Sequence, residues 1–169
     1  GRGTPGLRQP AMELRPANEA EMQEIGAALA STLPDLRQRN LLLTLAGELG
    51  AGKTTLARAL LRALGVTGTI RSPTFTLVEP YETTAGPVHH LDLYRLAGGA
   101  AELEALGFRD YRGAPGLLIV EWPERGGLDA DASDLAIRIE YAGAGRRVQL
   151  SAASELGRDW LRRTSAYLP

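Results

Sequence analysis

The chain contains no cysteine. That absence removes disulfides, thiolate metal sites and cysteine nucleophiles together and fits a reducing compartment, so a cytoplasmic protein is expected. It also lacks any apolar run near the roughly 20 residues needed to cross a bilayer, and its start has no apolar signal core, so no membrane contact is expected. A strong charge of either sign is missing: the formal net charge is -1, which leaves room only for a local nucleic-acid contact and gives no reason to expect DNA binding. Lysine is the most telling scarcity. Of 19 basic residues all are Arg but one, Lys53. That lysine sits inside a glycine loop, where a compact ammonium suits a tight phosphate cradle better than a planar guanidinium.

The loop belongs to the stretch Gly47 to Gly65, GELGAGKTTLARALLRALG. Its spacing is G-x-x-x-x-G-K-T, and the wider window reads as strand, glycine loop and helix. Gly50 and Gly52 free the backbone amides to converge on phosphate oxygens, and the helix after them adds its positive end. In this pattern Lys53 reaches the outer phosphates and the Thr54 hydroxyl binds the accompanying magnesium. With this chain's own residue frequencies, a chance match is on the order of one in a thousand, so a nucleotide site is favoured over a plain glycine-rich turn.

The rest of the chain supplies the frame. Residues 1–11, rich in Gly, Pro and Arg and preceding the first Met, read as a loose tail or a cloning remnant, and 12–169 as a single domain. Met22, Ile25, Leu29 and Leu33 keep helical spacing after an Asn18 cap. NLLLTLAG is a short apolar run typical of a strand covered on both faces. TFTLVEPY (74–81) and VHHLDLYR (88–95), separated by a stretch containing AGP, predict an antiparallel hairpin, and GAAELEALGF a short helix. LLIVEWPER (117–125) begins as a buried strand. DLAIRIEY and the return through Val148 and Leu150 predict a second hairpin, before an amphipathic helix over about 154–166.

A phosphate-loop enzyme also needs an acid on a neighbouring strand. Glu121 is the first polar side chain after the run Leu117 to Val120, at the carboxyl end of a buried strand, where open parallel sheets hold their ligands. Asp92 is placed similarly after VHHL. His89 and His90, the only histidines, point to opposite faces of a strand and read as ordinary strand residues rather than a shared metal site. Arg146, Arg147, Arg158, Arg162 and Arg163 read as a solvated face before they read as a basic patch for RNA or an acidic partner. The guanine-specific motif of small GTPases requires its own lysine, and the only one is already used, so ATP is favoured over GTP.

GELGAGKTT, SPTFTLVEPY, HLDLYRL and LLIVEWPER, in that order and spacing, closely resemble the bacterial ATPase family TsaE, formerly YjeE. The resemblance runs from about Leu14 to beyond Trp122; the hairpin and helix after Asp129 agree only in outline. It implies an α/β P-loop NTPase fold, three layers around a central mainly parallel sheet with added antiparallel strands and hairpins. It implies ATP or ADP held by Glu48, Leu49, Gly50, Ala51, Gly52, Lys53, Thr54 and Thr55, with Trp122 near the nucleotide. Thr54 and Glu121 would hold Mg2+, Asp92 would support hydrolysis, and Thr74 would belong to a switch-like segment sensing the phosphate state. The family assists in forming threonylcarbamoyladenosine in tRNA with the TsaD and TsaB proteins, reaching tRNA through that complex, and its weak intrinsic ATPase fits a site without an obvious arginine finger, Arg71 and Arg95 being near in sequence only. A small-molecule kinase on the same loop, and a binding module gated by nucleotide, are the competing readings.

Overall fold

The computed structural model describes residues 12–73 and 76–168. Seven strands form one sheet: β1 (Met12–Leu14), β2 (Asn40–Gly47), β3 (Val78–Thr83), β4 (Gly86–Asp92), β5 (Gly116–Glu121), β6 (Leu135–Ala142) and β7 (Gly145–Ala152). Their spatial order is β1-β7-β6-β2-β5-β4-β3. β2 runs parallel to both β5 and β6, and β4 runs parallel to β5. The outer pairs β3/β4, β6/β7 and β1/β7 are antiparallel. A central parallel sheet with antiparallel flanks is therefore what the sequence implied.

The two faces of the sheet are covered unequally. Odd-numbered residues of β2, β5 and β6 (Leu41, Leu43, Leu45, Leu117, Ile119, Leu135, Ile137, Ile139) point into one large core. That core is closed by α1 (Glu19–Ser31), α2 (Lys53–Ala63) and α5 (Glu155–Tyr167), through Met22, Ile25, Leu29, Leu56, Leu60 and Trp160. Each fully buried Leu contributes about 2 kcal/mol of transfer free energy, so the leucine-rich α2 is held mainly by this face. α1 and α2 come very close at Gly26, where a Cβ would lie 2.8 Å from Ala59 Cβ. On the opposite face α3 (Gly99–Ala105) and α4 (Phe108–Arg112) cover only the half formed by β2, β5 and β4, through Leu103 and Phe108 against Leu42, Leu91, Leu118 and Val120. The other half, around Ala136, Arg138, Gln149 and Ser151, has no α-helix over it among the described residues and is bordered by the turns at Pro123–Gly126 and Ala130–Ala132, as suits an antiparallel flank with one solvated side.

Local signals placed most elements well. Asn18 caps α1 by accepting from the Glu21 amide (2.9 Å), and Ser154 caps α5 by accepting from Gly157 (2.9 Å). Three details differ. The first hairpin begins at Val78 and turns at Thr84 and Ala85, inside the expected connecting stretch, so that Gly86 and Pro87 already belong to β4, opposite Thr83 and Glu82. The helix expected over GAAELEALGF is broken at Gly107, whose left-handed φ of 86° ends one helix and starts α4. β1 carried too few residues to show a period, and it forms only by pairing with β7.

Candidate functional site

β2 ends at Gly47 and α2 starts at Lys53, so the glycine loop is the direct link between the central strand and its crossover helix. Gly50 and Gly52 have φ of 78° and 121°, which side-chain-bearing residues rarely adopt. Within the loop the Ala51 amide donates to Glu48 O (3.1 Å), folding the chain back on itself. Gly52 takes the N-cap position of α2 and offers no capping side chain. The first-turn amides of Lys53, Thr54 and Thr55 are therefore left for a ligand at the positive end of the helix.

Lys53 is 5% exposed and lies folded along the loop. Its Nζ donates to Gly47 O (2.6 Å) and Glu48 O (2.8 Å) and sits 4.3 Å from the centre of the Trp122 ring. Burial pushes its pKa below the usual lysine value, opposed by the nearby carboxylates of Glu121, Glu124 and Asp92. Trp122 has a left-handed φ of 57°, and the turn it makes at the end of β5 brings its ring to the loop. Tyr94 packs against it at 5.1 Å, and the Arg125 guanidinium lies 5.1 Å from the Tyr94 ring and 5.4 Å from the Trp122 ring.

Sheet register brings the two acids together: Asp92 is directly opposite Glu121, which is opposite Leu45 near the end of β2. Both carboxylates are almost fully buried. Thr54 Oγ1 donates to Glu121 Oε1 at 2.9 Å, and His90 Nε2 lies 2.5 Å from Glu121 Oε2. Asp92 Oδ1 accepts from the Tyr94 amide at 3.0 Å. A cleft of about 200 Å³ is lined by Leu49, Gly50, Lys53, Thr54, Ser72, Asp92, Tyr94, Glu121 and Trp122.

The donor set fits a magnesium nucleotide. Among the described residues no cluster of three or more His, Asp or Glu could cage a metal by itself. The Thr54 hydroxyl and one oxygen of Glu121 would make a small protein share of a Mg2+ shell, as suits a cation that keeps waters and takes phosphate oxygens for the rest. The electrostatics point the same way. The carboxylates of Glu121, Asp92 and Glu124 lie close enough to Lys53 to oppose the lowering of its pKa, so an accompanying cation would ease the entry of a polyphosphate.

Of the residues singled out in the sequence, Leu49, Gly50, Lys53, Thr54, Asp92, Glu121 and Trp122 line this cleft, whereas Glu48, Ala51, Gly52 and Thr55 do not. Thr74 lies outside the described residues; Ser72 lines the cleft. Arg71 and Arg95 are exposed and do not line the cleft. His90 is a correction to the reading of both histidines as ordinary strand residues. Spaced two residues from Asp92, it faces the same side, and that parity was a usable signal. Tyr141 and Arg146 were also missed as site neighbours: the Tyr141 hydroxyl donates to Leu49 O (2.7 Å) and Arg146 Nε to Ala51 O (2.9 Å). Of the arginines near the C-terminus, Arg147 pairs with Glu140, and Arg162 and Arg163 pair with Asp159.

Comparison with known proteins agrees with this geometry. The family model described as threonylcarbamoyl adenosine biosynthesis protein TsaE matches residues 16–148. The chain is similar to the tRNA threonylcarbamoyladenosine biosynthesis protein TsaE of Haemophilus influenzae, 38% identical over 143 residues, covering 84% of this chain and 90% of that protein. It is 41% identical over 123 residues to the protein of the same name from Streptomyces coelicolor, covering 72% and 80% of the two chains. The crystal structure of Bacillus subtilis YdiB superposes with a TM-score of 0.72 at 26% identity, covering 95% of this chain and 99% of that one. A glycine loop on a central parallel strand, an acid pair at the ends of β5 and β4 and a family match spanning most of the sequence lead to one assignment: the chain belongs to the TsaE family.

Proposed function

We propose that this protein is a Mg2+-dependent ATPase that binds ATP and ADP at the 47–55 loop and supports repeated rounds of tRNA threonylcarbamoyladenosine formation together with TsaD and TsaB. Contact with tRNA then runs through that complex. The observation that carries the proposal is the joining of Thr54, at the start of the loop's helix, to Glu121 on the neighbouring strand by a 2.9 Å hydrogen bond. It brings together the two oxygens that phosphate-loop enzymes use around magnesium.

The residues divide the work by chemistry. Loop and first-turn amides, with Lys53, would hold phosphate oxygens, while Thr54 and Glu121 would hold Mg2+. Bound Mg2+ supplies neutralisation of the charge that develops on the phosphate oxygens. Asp92, 6% exposed and fixed by the Tyr94 amide, is the acid positioned to orient water or accept its proton. Trp122 and Tyr94 wall the cleft and limit bulk water. No arginine side chain lines this cleft among the described residues, which accords with a weak activity that a partner completes.

The test is a reconstitution with TsaD, TsaB, tRNA and threonylcarbamoyl-adenylate, tracking free phosphate and modified tRNA together. Wild-type protein is expected to support many turnovers per complex with partner-stimulated phosphate release, and Lys53→Ala neither. Phosphate release indifferent to the partners, with unaltered tRNA modification, would sink the pathway assignment. Label recovered on a small acceptor instead of as free phosphate would establish a kinase.

A further inference from the structure

Tyr141 and Arg146 face each other across the β6/β7 hairpin as register partners, and the Arg146 guanidinium lies 4.3 Å from the Tyr141 ring. Both reach out of the sheet onto the glycine loop, at alternate carbonyls, Leu49 O and Ala51 O. Arg146 is itself anchored, because its amide donates to Pro16 O (2.9 Å) and its Nη1 to Gly145 O (2.9 Å). The hairpin closes tightly against the segment before α1: a Cβ on Gly145 would stand 2.7 Å from Pro16 O.

A trans peptide holds its C=O and the next residue's N–H in one plane, pointing in opposite directions. Fixing the Leu49 carbonyl therefore fixes the Gly50 amide on the other side of the chain, and fixing Ala51 does the same for Gly52. Among the described residues neither amide is donated to a protein group. Two glycines with left-handed φ would otherwise let these peptide planes rotate at little cost.

We propose that Tyr141 and Arg146 are positioning residues of the phosphate site: the hairpin grips the loop by its outward carbonyls and thereby aims the Gly50 and Gly52 amides at the phosphates. This rests on the loop being the phosphate site. The hairpin sets affinity for the phosphate chain rather than the chemical step, because the amides hold ground state and transition state alike. It acts on any ligand with linked phosphates, whatever base it carries.

The experiment measures Mg2+-dependent binding of ADP and of inorganic tripolyphosphate by calorimetry, together with KM and kcat for ATP, for wild type, Tyr141→Phe, Arg146→Met, Arg146→Lys and Lys53→Ala. Tyr141→Phe keeps the ring and loses only the donor; Arg146→Lys keeps a donor. Loss of one such hydrogen bond is expected to weaken both ligands by roughly three- to tenfold. KM should rise in parallel with kcat nearly unchanged, and Arg146→Lys should recover part of what Arg146→Met loses. Affinities within about twofold of wild type for both ligands would overturn the proposal, since that is well under one hydrogen bond. Weakening of ADP alone would also overturn it, because Tyr141 would then act on the base. If Arg146→Met fails to fold, Tyr141→Phe decides by the same criteria. Wild-type protein that binds neither ligand, or Lys53→Ala that binds both normally, would show that the phosphate-site reading had failed and the hairpin proposal with it.

Discussion

His90 Nε2 stands 2.5 Å from one oxygen of Glu121, while the other oxygen of that carboxylate accepts the Thr54 hydroxyl. The histidine is fully buried and, among the described residues, its Nδ1 has no hydrogen-bond partner. A bare ring nitrogen is less costly to bury than an unpaired N–H, so the proton belongs on Nε2, donated to Glu121. Glu121, the acid proposed to hold Mg2+, is thereby held in one rotamer, in the way that outer-shell partners orient ligands.

Replacing His90 tests this directly. His90→Leu is expected to raise the Mg2+ concentration needed for nucleotide binding by roughly tenfold or more, and His90→Gln, which restores a donor, should recover part of it. A Mg2+ titration of fluorescent nucleotide binding checks both. Unchanged metal dependence in His90→Leu would show that the contact does no positioning.

Asp92 should behave differently from the loop. Asp92→Asn keeps the oxygen that accepts the Tyr94 amide and removes the charge. ATP binding should persist while kcat falls by about a hundredfold or more, the usual size of an acid–base contribution. Steady-state kinetics with TsaD and TsaB present separates kcat from KM; a variant with normal kcat would leave Asp92 as a structural acid only.

His89, on the opposite face from His90, packs against the Tyr111 ring at 4.7 Å. Burial lowers its pKa below 6.5, with Glu82 opposing. The folded state therefore favours neutral His89, so its contribution is complete above the unfolded value of 6.5 and is lost as pH falls from there toward the lowered folded value. Thermal unfolding between about pH 7.5 and about pH 5.5 should show Tm dropping on the acid side. In His89→Gln that drop should be smaller, and an identical pH profile would remove His89 as its source.

Asp134 ties the sheet to its surroundings away from the site. Its Oδ2 accepts the Leu42 amide (2.7 Å) and pairs with Arg112 (3.1 Å), and its Oδ1 accepts the Ser154 hydroxyl (2.7 Å). Asp134→Ala leaves the buried Leu42 amide unpaired and should cost about 3 kcal/mol. That corresponds to a fall in Tm of roughly 10 °C for a chain of this size. Differential scanning calorimetry measures it, and a fall under about 2 °C would mean that water replaces these bonds.

The features legible in the sequence were local and periodic. The glycine spacing, the apolar run of β2, the leucine stripe of α2 and the position of Glu121 after four buried residues all come from which residue types suit a covered strand, a helix face or a phosphate loop. Those preferences act over a few residues and can be read without knowing any neighbour. Which residue stands beside which was settled by tertiary packing. Whether His90 meets Glu121 depends on β4 lying next to β5, and whether Tyr141 and Arg146 hold the loop depends on β6 lying next to β2, about ninety residues away in the chain. β1 belongs to the same class. A three-residue strand has no period to display, and it exists because β7 offers it an edge.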